Sequence, residues 1–448
     1  MTIEVSTVPE ATVRSSGKVD RAAYLAQLLN LRSPLSQPIE GLQAVRDQAA
    51  AIVQELAIPS TREEEWRFTD LSSLLQTEFQ AIDARSVSLR DIAAFELPEA
   101  AQSRLVFVNG VYAPELSAVQ NLPAGVVVGN LAQASKLPVE LANYLAKQQG
   151  AEQVFTTLNT ASLTDAAIVF VPRNQILEAP IHLLFVATGT AISHPRCLVI
   201  AEASSNLTLI EDFAGLHEDR YFTNPVTEIW IAGNAEVKHT RVQRDSRAAF
   251  HIGKTAVSVD RDARYTCTEI GFGAELSRHN LEVYQTGEQT NITLHGLTIL
   301  NGEQVGDTHS LIAYTKPYGT SHQVHKCIVN DRAHAIFNGK IFVPQAAQLT
   351  DAAQLSRNLL LSPKARVDTK PQLEITADNV KCAHGATVSQ LEDDEVFYLQ
   401  SRGIDQDSAR KLLVYAFAIE VIHQIPIASL RDNLTAWVRA QQSRDREA

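Results

Sequence analysis

A chain of 448 residues, 45% hydrophobic and 20% charged, has the make-up of a folded globular protein with room for one large core or several domains. Its formal charge of −12, with no basic block to offset it, excludes broad nucleic-acid binding. The four cysteines (Cys197, Cys267, Cys327 and Cys382) make no disulfide scaffold and fit a reducing compartment. No apolar run reaches the ~18 residues that a membrane span needs, and the opening Met1-Thr2-Ile3-Glu4-Val5 has neither secretory nor transit character. A cytoplasmic protein without membrane or nucleic-acid partners is expected.

Residues 1–18 are polar and read as disordered. Helix is expected from near Asp20 and again from Ile39 through Leu56, where Leu42, Val45, Ala49, Ile52, Val53 and Leu56 recur at near-helical spacing and Pro59 follows. The acidic-aromatic run Glu63-Glu64-Glu65-Trp66-Arg67-Phe68-Thr69-Asp70 comes next. Asn109-Gly110, set between apolar runs, predicts a hairpin over Leu105–Tyr112. From about residue 165 to 390 short runs rich in Val, Ile, Thr and Leu recur, punctuated by turn pairs such as Gly233-Asn234 and Asn301-Gly302. Strand over such a length without intervening helix excludes a βαβ architecture and leaves a sandwich, a propeller or a stacked solenoid. No strict repeat chooses among them. Helix returns after Leu391: Glu392 to Glu395 complement a helix N-terminus, Gly403 stops that helix, Asp405 caps the next, and Pro426 precedes a last one carrying Leu430, Leu434 and Trp437.

The most informative segment is Lys381-Cys382-Ala383-His384-Gly385-Ala386-Thr387. Residues i and i+2 of an extended chain share a face, so Cys382 and His384 can present sulfur and nitrogen to one bound atom, a pair suited to zinc, copper or iron–sulfur chemistry. Spacing alone favours a plainer reading, a buried thiol beside a hydrogen-bonded histidine at a turn, because the pair is at most half a metal site. Gly253-Lys254-Thr255 lacks the glycine of a phosphate loop five residues earlier, where Ala248 stands, and runs into a strand-like alternation. His322, His325, Cys327 and His334 lie close in sequence, but His-x-x-His on extended chain points its rings apart, and surface-strand histidines are the simpler reading. Ser193-His194 and Ser321-His322 lack a nucleophile-elbow context.

Together these motifs resemble the SufB/SufD family of the SUF iron–sulfur cluster assembly system. The resemblance rests on the Lys381–Thr387 segment, Phe397-Tyr398-Leu399-Gln400-Ser401-Arg402-Gly403-Ile404, Phe337-Asn338-Gly339-Lys340-Ile341, Arg357-Asn358-Leu359-Leu360-Leu361-Ser362 and Lys370-Pro371-Gln372-Leu373-Glu374-Ile375. The Trp66-Arg67-Phe68-Thr69 segment adds a weaker match. Arg357-Asn358 and His384-Gly385 stand where SufB-like chains carry Cys-Asp and His-Glu, which favours the SufD side and removes the thiol expected of the main cluster-building subunit.

The resemblance implies a mainly β fold: a right-handed parallel β-helix over residues 165–391, between an N-terminal helical and mixed region (1–164) and a C-terminal helical region (392–448). It implies a non-catalytic scaffold that pairs with the paralogue SufB and docks the ATPase SufC, binding no ATP itself. His384, with Cys382 as secondary candidate, would contribute to a transient iron–sulfur cluster shared with SufB, His384 being the metal ligand. Tyr398, Arg402, Gly403, Leu412 and Phe417 would meet the ATPase. The rival readings are a standalone β-helix enzyme acting on polysaccharide, to which 6% aromatic content lends little, and a purely structural homodimer paired through the same β-helix edge.

Overall fold

The computed structural model describes residues 19–82 and 86–444; the expected disorder of residues 1–18 lies outside these. The centre of the molecule is a parallel β-solenoid. Each turn gives one strand to each of two sheets, and along both sheets the pairing is parallel from the strands Ile181–Ala187 and Ala167–Val171 onward. The last strand of one sheet is Lys381–Gln390, paired only with Asp351–Leu360; the last of the other is Arg366–Ile375, paired only with His334–Val343. Among the described residues the solenoid therefore ends on two free strand edges. Alternation along each strand decides the rest, because one face points into the solenoid and the other out. Leu207, Leu209, Val237, Tyr265, Ile292 and Leu294 from one sheet meet Val199, Ile229, Val257, Leu281 and Ile312 from the other in a dry interior. Each such side chain contributes roughly 1.5–3 kcal/mol by leaving water.

The corners are made by residues that tolerate left-handed backbone, among them Asn234, Asp262 and Asp331 at φ of 59, 58 and 52°. The expected hairpin is present: Ser103–Val108 pairs antiparallel with Val111–Tyr112 across Asn109 (φ 50°) and Gly110 (φ 83°), two successive left-handed residues as a tight hairpin turn requires. That hairpin is part of the solenoid, since Ser103–Val108 also pairs in parallel with Ile181–Ala187.

Helix α1 (Arg21–Asn30) starts at Asp20, whose carboxylate accepts from the Ala22 and Ala23 amides, and α2 spans Leu42–Glu55. The second begins later than its periodicity suggests: Gly41, at φ 75°, breaks the helical path, and Ile52 faces out while Ala50 faces in. After α3 (Ser72–Leu75), α4 (Val154–Ser162) joins α1 and α2 in an apolar cluster against Ile192, Phe222, Phe250, Ile252 and Leu276 on the solenoid flank. At the C-terminus, α5 (Asp393–Ser401) ends before Gly403 (φ 86°), α6 (Gln406–Ile422) is capped by Asp405, and α7 (Ala428–Arg444) follows. Helices α6 and α7 bury Val414, Ala418, Val421, Ile422, Leu430 and Leu434 over Ile270, Leu297 and Ile328 of the outer sheet face, with Trp437 stacked on Phe272 at 3.8 Å. No helix is long and apolar enough to cross a membrane among the described residues.

Candidate functional site at the open end of the solenoid

Cys382 and His384 lie on the final strand and share a face, as extended geometry demands. Their register partners one turn below, Ala352 and Gln354, are 1% and 3% exposed, so that face is the inward one. With no further turn above it, His384 is exposed and Cys382 half-buried against the interior. Partial burial raises the Cys382 thiol above its ordinary value, with Asp351 adding to the effect. The two side chains are thus a soft donor pair at an open strand edge. No group of three or more His, Cys, Asp or Glu side chains able to hold a metal ion occurs among the described residues.

Beneath His384 the interior is polar. Gln354 Nε2 donates to Gln323 Oε1 at 2.8 Å, and Gln323 Nε2 donates to Ser310 Oγ at 2.8 Å. Deeper still the apolar interior gives way to buried ionisable groups. Glu211 accepts from Thr227 and faces His239 Nε2 at 2.9 Å, while His239 Nδ1 lies 3.0 Å from the Tyr265 hydroxyl and 3.9 Å from Cys267 Sγ. Burial works against a charge on His239, but the Cys267 sulfur and the Glu211 carboxylate outweigh it and lift its pKa to about 10. One register row further, Arg241 pairs with Glu269 at 3.3 Å, Glu269 faces His279 at 2.7 Å, and His251 lies 2.8 Å from Asp245. Burial and then Arg241 depress His279 to about 4; burial alone pushes Glu269 up, but His279 and Arg241 overcome it and hold it at about 2.

Sequence reading missed this polar interior. The signal was there: in Val237-Lys238-His239-Thr240-Arg241 the histidine and arginine keep the phase of the inward valine. It also placed His325 on the surface. His322 is exposed as expected, but His325, of opposite phase, is 2% exposed and stacked on Phe337 at 4.5 Å inside the solenoid. Room for its ring exists because Gly296 lies beneath it, where a Cβ would collide with the imidazole. Cys327 is likewise interior and His334 pairs with Asp368 at 2.6 Å. Gly253-Lys254-Thr255 lies mid-strand in Phe250–Val259, its lysine bound to Glu282 at 2.7 Å.

The C-terminal residues separate into two groups. Tyr398 and Leu412 are 57% and 45% exposed, and neighbouring Phe397 is 70% exposed. Arg402 and Gly403 are also exposed, with the Arg402 guanidinium 5.3 Å from the Tyr398 ring centre. Phe417 differs. It is half-buried where α6 packs on the solenoid, beneath the Lys326 ammonium at 4.4 Å, and Lys326 also pairs with Glu420. Phe417 thus takes part in the packing of this chain while keeping part of its surface open, and Phe397 is the more exposed of the two.

The Trp66–Thr69 segment fastens the N-terminal region to the solenoid. The Arg278 guanidinium lies 3.9 Å over Trp66, donates to the Glu65 carbonyl at 2.7 Å and pairs with Asp307 at 2.5 Å, while the Thr69 hydroxyl donates to Asp307. Beside this clamp runs a cleft of about 750 Å³ between Leu56–Trp66, Glu152–Thr156 and the strand face bearing Lys254, Asn280 and Asn338.

The architecture is that of a long parallel β-solenoid protein with helical regions on either side. Residues 184–417 match the family described as SUF system FeS cluster assembly, SufBD core domain, and residues 30–183 match the SufBD protein N-terminal region. This chain belongs to the SufBD family of iron–sulfur cluster assembly proteins. It is 46% identical to an iron–sulfur cluster assembly SufBD family protein of Synechocystis, over 93% of this chain and 98% of that one. It is 32% identical to the iron–sulfur cluster assembly protein SufD of Escherichia coli (87% and 92% covered) and 25% identical to the SufD of Bacillus subtilis (89% and 93% covered).

Proposed function

We propose that this chain is the SufD-type scaffold subunit of a SufB–SufC–SufD complex, and that His384, with Cys382 beside it, supplies part of an interfacial site on which an iron–sulfur cluster is built and released. The observation that carries this reading is the pairing of two soft donors with a free strand edge. The strands Lys381–Gln390 and Arg366–Ile375 each have one edge without a partner, and unpaired edges invite strand addition by another chain. A paralogous solenoid joined there brings its own donors to the face that bears His384. The neutral imidazole has a lone pair for iron, and histidine ligation raises the potential of a cluster relative to all-cysteine ligation. The cluster is cargo in this reading, and the chain contributes position and donors.

The exposed Phe397, Tyr398, Arg402, Gly403 and Leu412, on α5, the turn after it and α6, form the proposed docking surface for the SufC ATPase. Aromatic and arginine side chains of this kind anchor interfaces, and α6 transmits a load directly, since its other face is packed on the solenoid.

The test is anaerobic reconstitution of the chain alone and with its SufB and SufC partners, with iron and sulfide counted per complex. Cluster that forms only in the complex and is lost with His384→Ala supports the shared site. Normal loading of the His384→Ala complex overturns the ligand assignment and leaves a scaffold by shape.

A further inference from the structure

Gln354 is 3% exposed and its Oε1 has no hydrogen-bond partner. A buried amide oxygen left unpaired costs ~1–3 kcal/mol, so a native structure that keeps one calls for an explanation. On its lower side the amide is already engaged. Its Nε2 is committed to Gln323 Oε1, and Gln323 is in turn committed to Ser310, which both donates to it and accepts from it. The place for the amide is built as well. Gly339 faces inward in register with Ser310, and a Cβ at that position would collide with the Gln354 amide. The next side chain along the same inward row is His384, the register partner of Gln354 on a strand ~4.8 Å away.

From this arrangement we infer that Gln354 is a positioning residue for His384: its Oε1 accepts a hydrogen bond from one imidazole N–H and thereby turns the other ring nitrogen, with its lone pair, toward the open end of the solenoid. The inference rests on the proposed role of His384 and deepens it. An imidazole that ligates a metal needs its second nitrogen held by an outer partner, which fixes both tautomer and ring direction. The file Ser310–Gln323–Gln354 supplies such a partner from inside the chain, while the partner subunit approaches from outside. It also gives inward-facing Gly339, within the Phe337–Ile341 segment, a physical reason to be glycine.

The test uses the full chain with ¹⁵N-labelled histidine, assigning the His384 ring by its loss in His384→Gln and reading its tautomer ratio from ring-nitrogen shifts and long-range couplings. Gln354→Met keeps length and shape and removes the acceptor; Gln354→Glu keeps an acceptor in place. The expected result is one dominant tautomer in the unsubstituted chain and in Gln354→Glu, and a mixture in Gln354→Met. In the complex, loss of an outer partner of this kind lowers iron loading by about ten-fold or more. Identical tautomer ratios in the unsubstituted chain and a folded Gln354→Met overturn the inference, and Gln354→Leu answers the same question if Gln354→Met does not fold. The two readings fail separately: normal loading by His384→Ala with the tautomer bias intact removes the cluster role and leaves the contact, whereas lost loading without a tautomer bias does the reverse.

Discussion

Gln354 and His384 are register partners on the last two strands of one sheet, the first sealed inside the solenoid and the second open to its surroundings. The boundary between structure and chemistry in this protein falls between those two residues. Below it, every turn is covered by the next; above it lie a strand edge and the open His384 side chain.

His384→Ala is expected to separate assembly from stability. The side chain is exposed, and its loss takes away only the hydrogen bond inferred above to Gln354, so unfolding free energy should fall by ~0.5–1.5 kcal/mol. Iron and sulfide per reconstituted complex should fall severely. Urea denaturation of the variant alongside metal analysis checks both halves.

Stability should peak near neutral pH. Burial depresses His194, His279 and His325 to about 4, from 6.5, so the stability that comes from keeping them neutral is present above 6.5 and lost as pH falls through about 4. Glu269, held at about 2 instead of 4.5, adds a loss of the same sign at lower pH. His239 acts in the opposite direction: raised to about 10, it contributes fully below 6.5 and the contribution disappears as pH rises through 10. Urea midpoints from pH 4 to 10 should trace a dome, and His239→Gln should flatten its alkaline side.

Breaking the N-terminal clamp should be costly. Arg278 and Asp307 are 2% and 0% exposed as side chains, and Arg278→Ala leaves a buried carboxylate beside Thr69 without its cation. A loss of ~3–5 kcal/mol is expected, with red-shifted tryptophan fluorescence as Trp66 loses its covering guanidinium. Unchanged stability would mean that the N-terminal region is held by its apolar contacts alone.

Gly339→Ala should destabilise the solenoid by ~1–3 kcal/mol through overpacking against the Gln354 amide. In the double variant Gly339→Ala with Gln354→Ala the space is returned, so the two effects should be less than additive. A double-mutant cycle by chemical denaturation measures that coupling.

On the C-terminal helices, Tyr398→Ala with Leu412→Ala should weaken binding of the ATPase subunit by at least ~10-fold while leaving the melting temperature of the isolated chain unchanged. Phe417→Ala should do the opposite, lowering stability through the lost contact with Lys326. Titration calorimetry and thermal melts together distinguish the two classes of residue.

Much of the architecture was legible along the chain. Helix onset near Asp20, Asp405 as a helix cap, Gly403 as a stop, Asn109-Gly110 as a hairpin and the long strand-rich stretch all act through neighbours a few residues away, and each took the expected form. The pairing of Cys382 with His384 followed from alternation alone. His325 was misplaced because its neighbour His322 is a surface residue, and only the phase of the whole strand, with Gly296 making room beneath it, assigns the ring to the interior. That Phe417 also packs on the solenoid was not legible, because an amphipathic helix does not declare which of its apolar residues meet its own core.

The sequence by itself determined the class of fold, the family, the Asp405 cap and Gly403 stop, and the shared face of Cys382 and His384, because these depend on local backbone preference and on the order of motifs. Only the tertiary structure decided which turn of the solenoid is the last, and with it that His384 is open while Gln354 is sealed. It alone brought Arg278 over Trp66, Glu211 to His239 and Gly339 against Gln354, contacts between residues from 15 positions apart, as in Gly339–Gln354, to more than two hundred, as in Arg278–Glu65. Parallel stacking sets those encounters by the length of each turn, a property of the assembled coil that no local stretch of sequence carries.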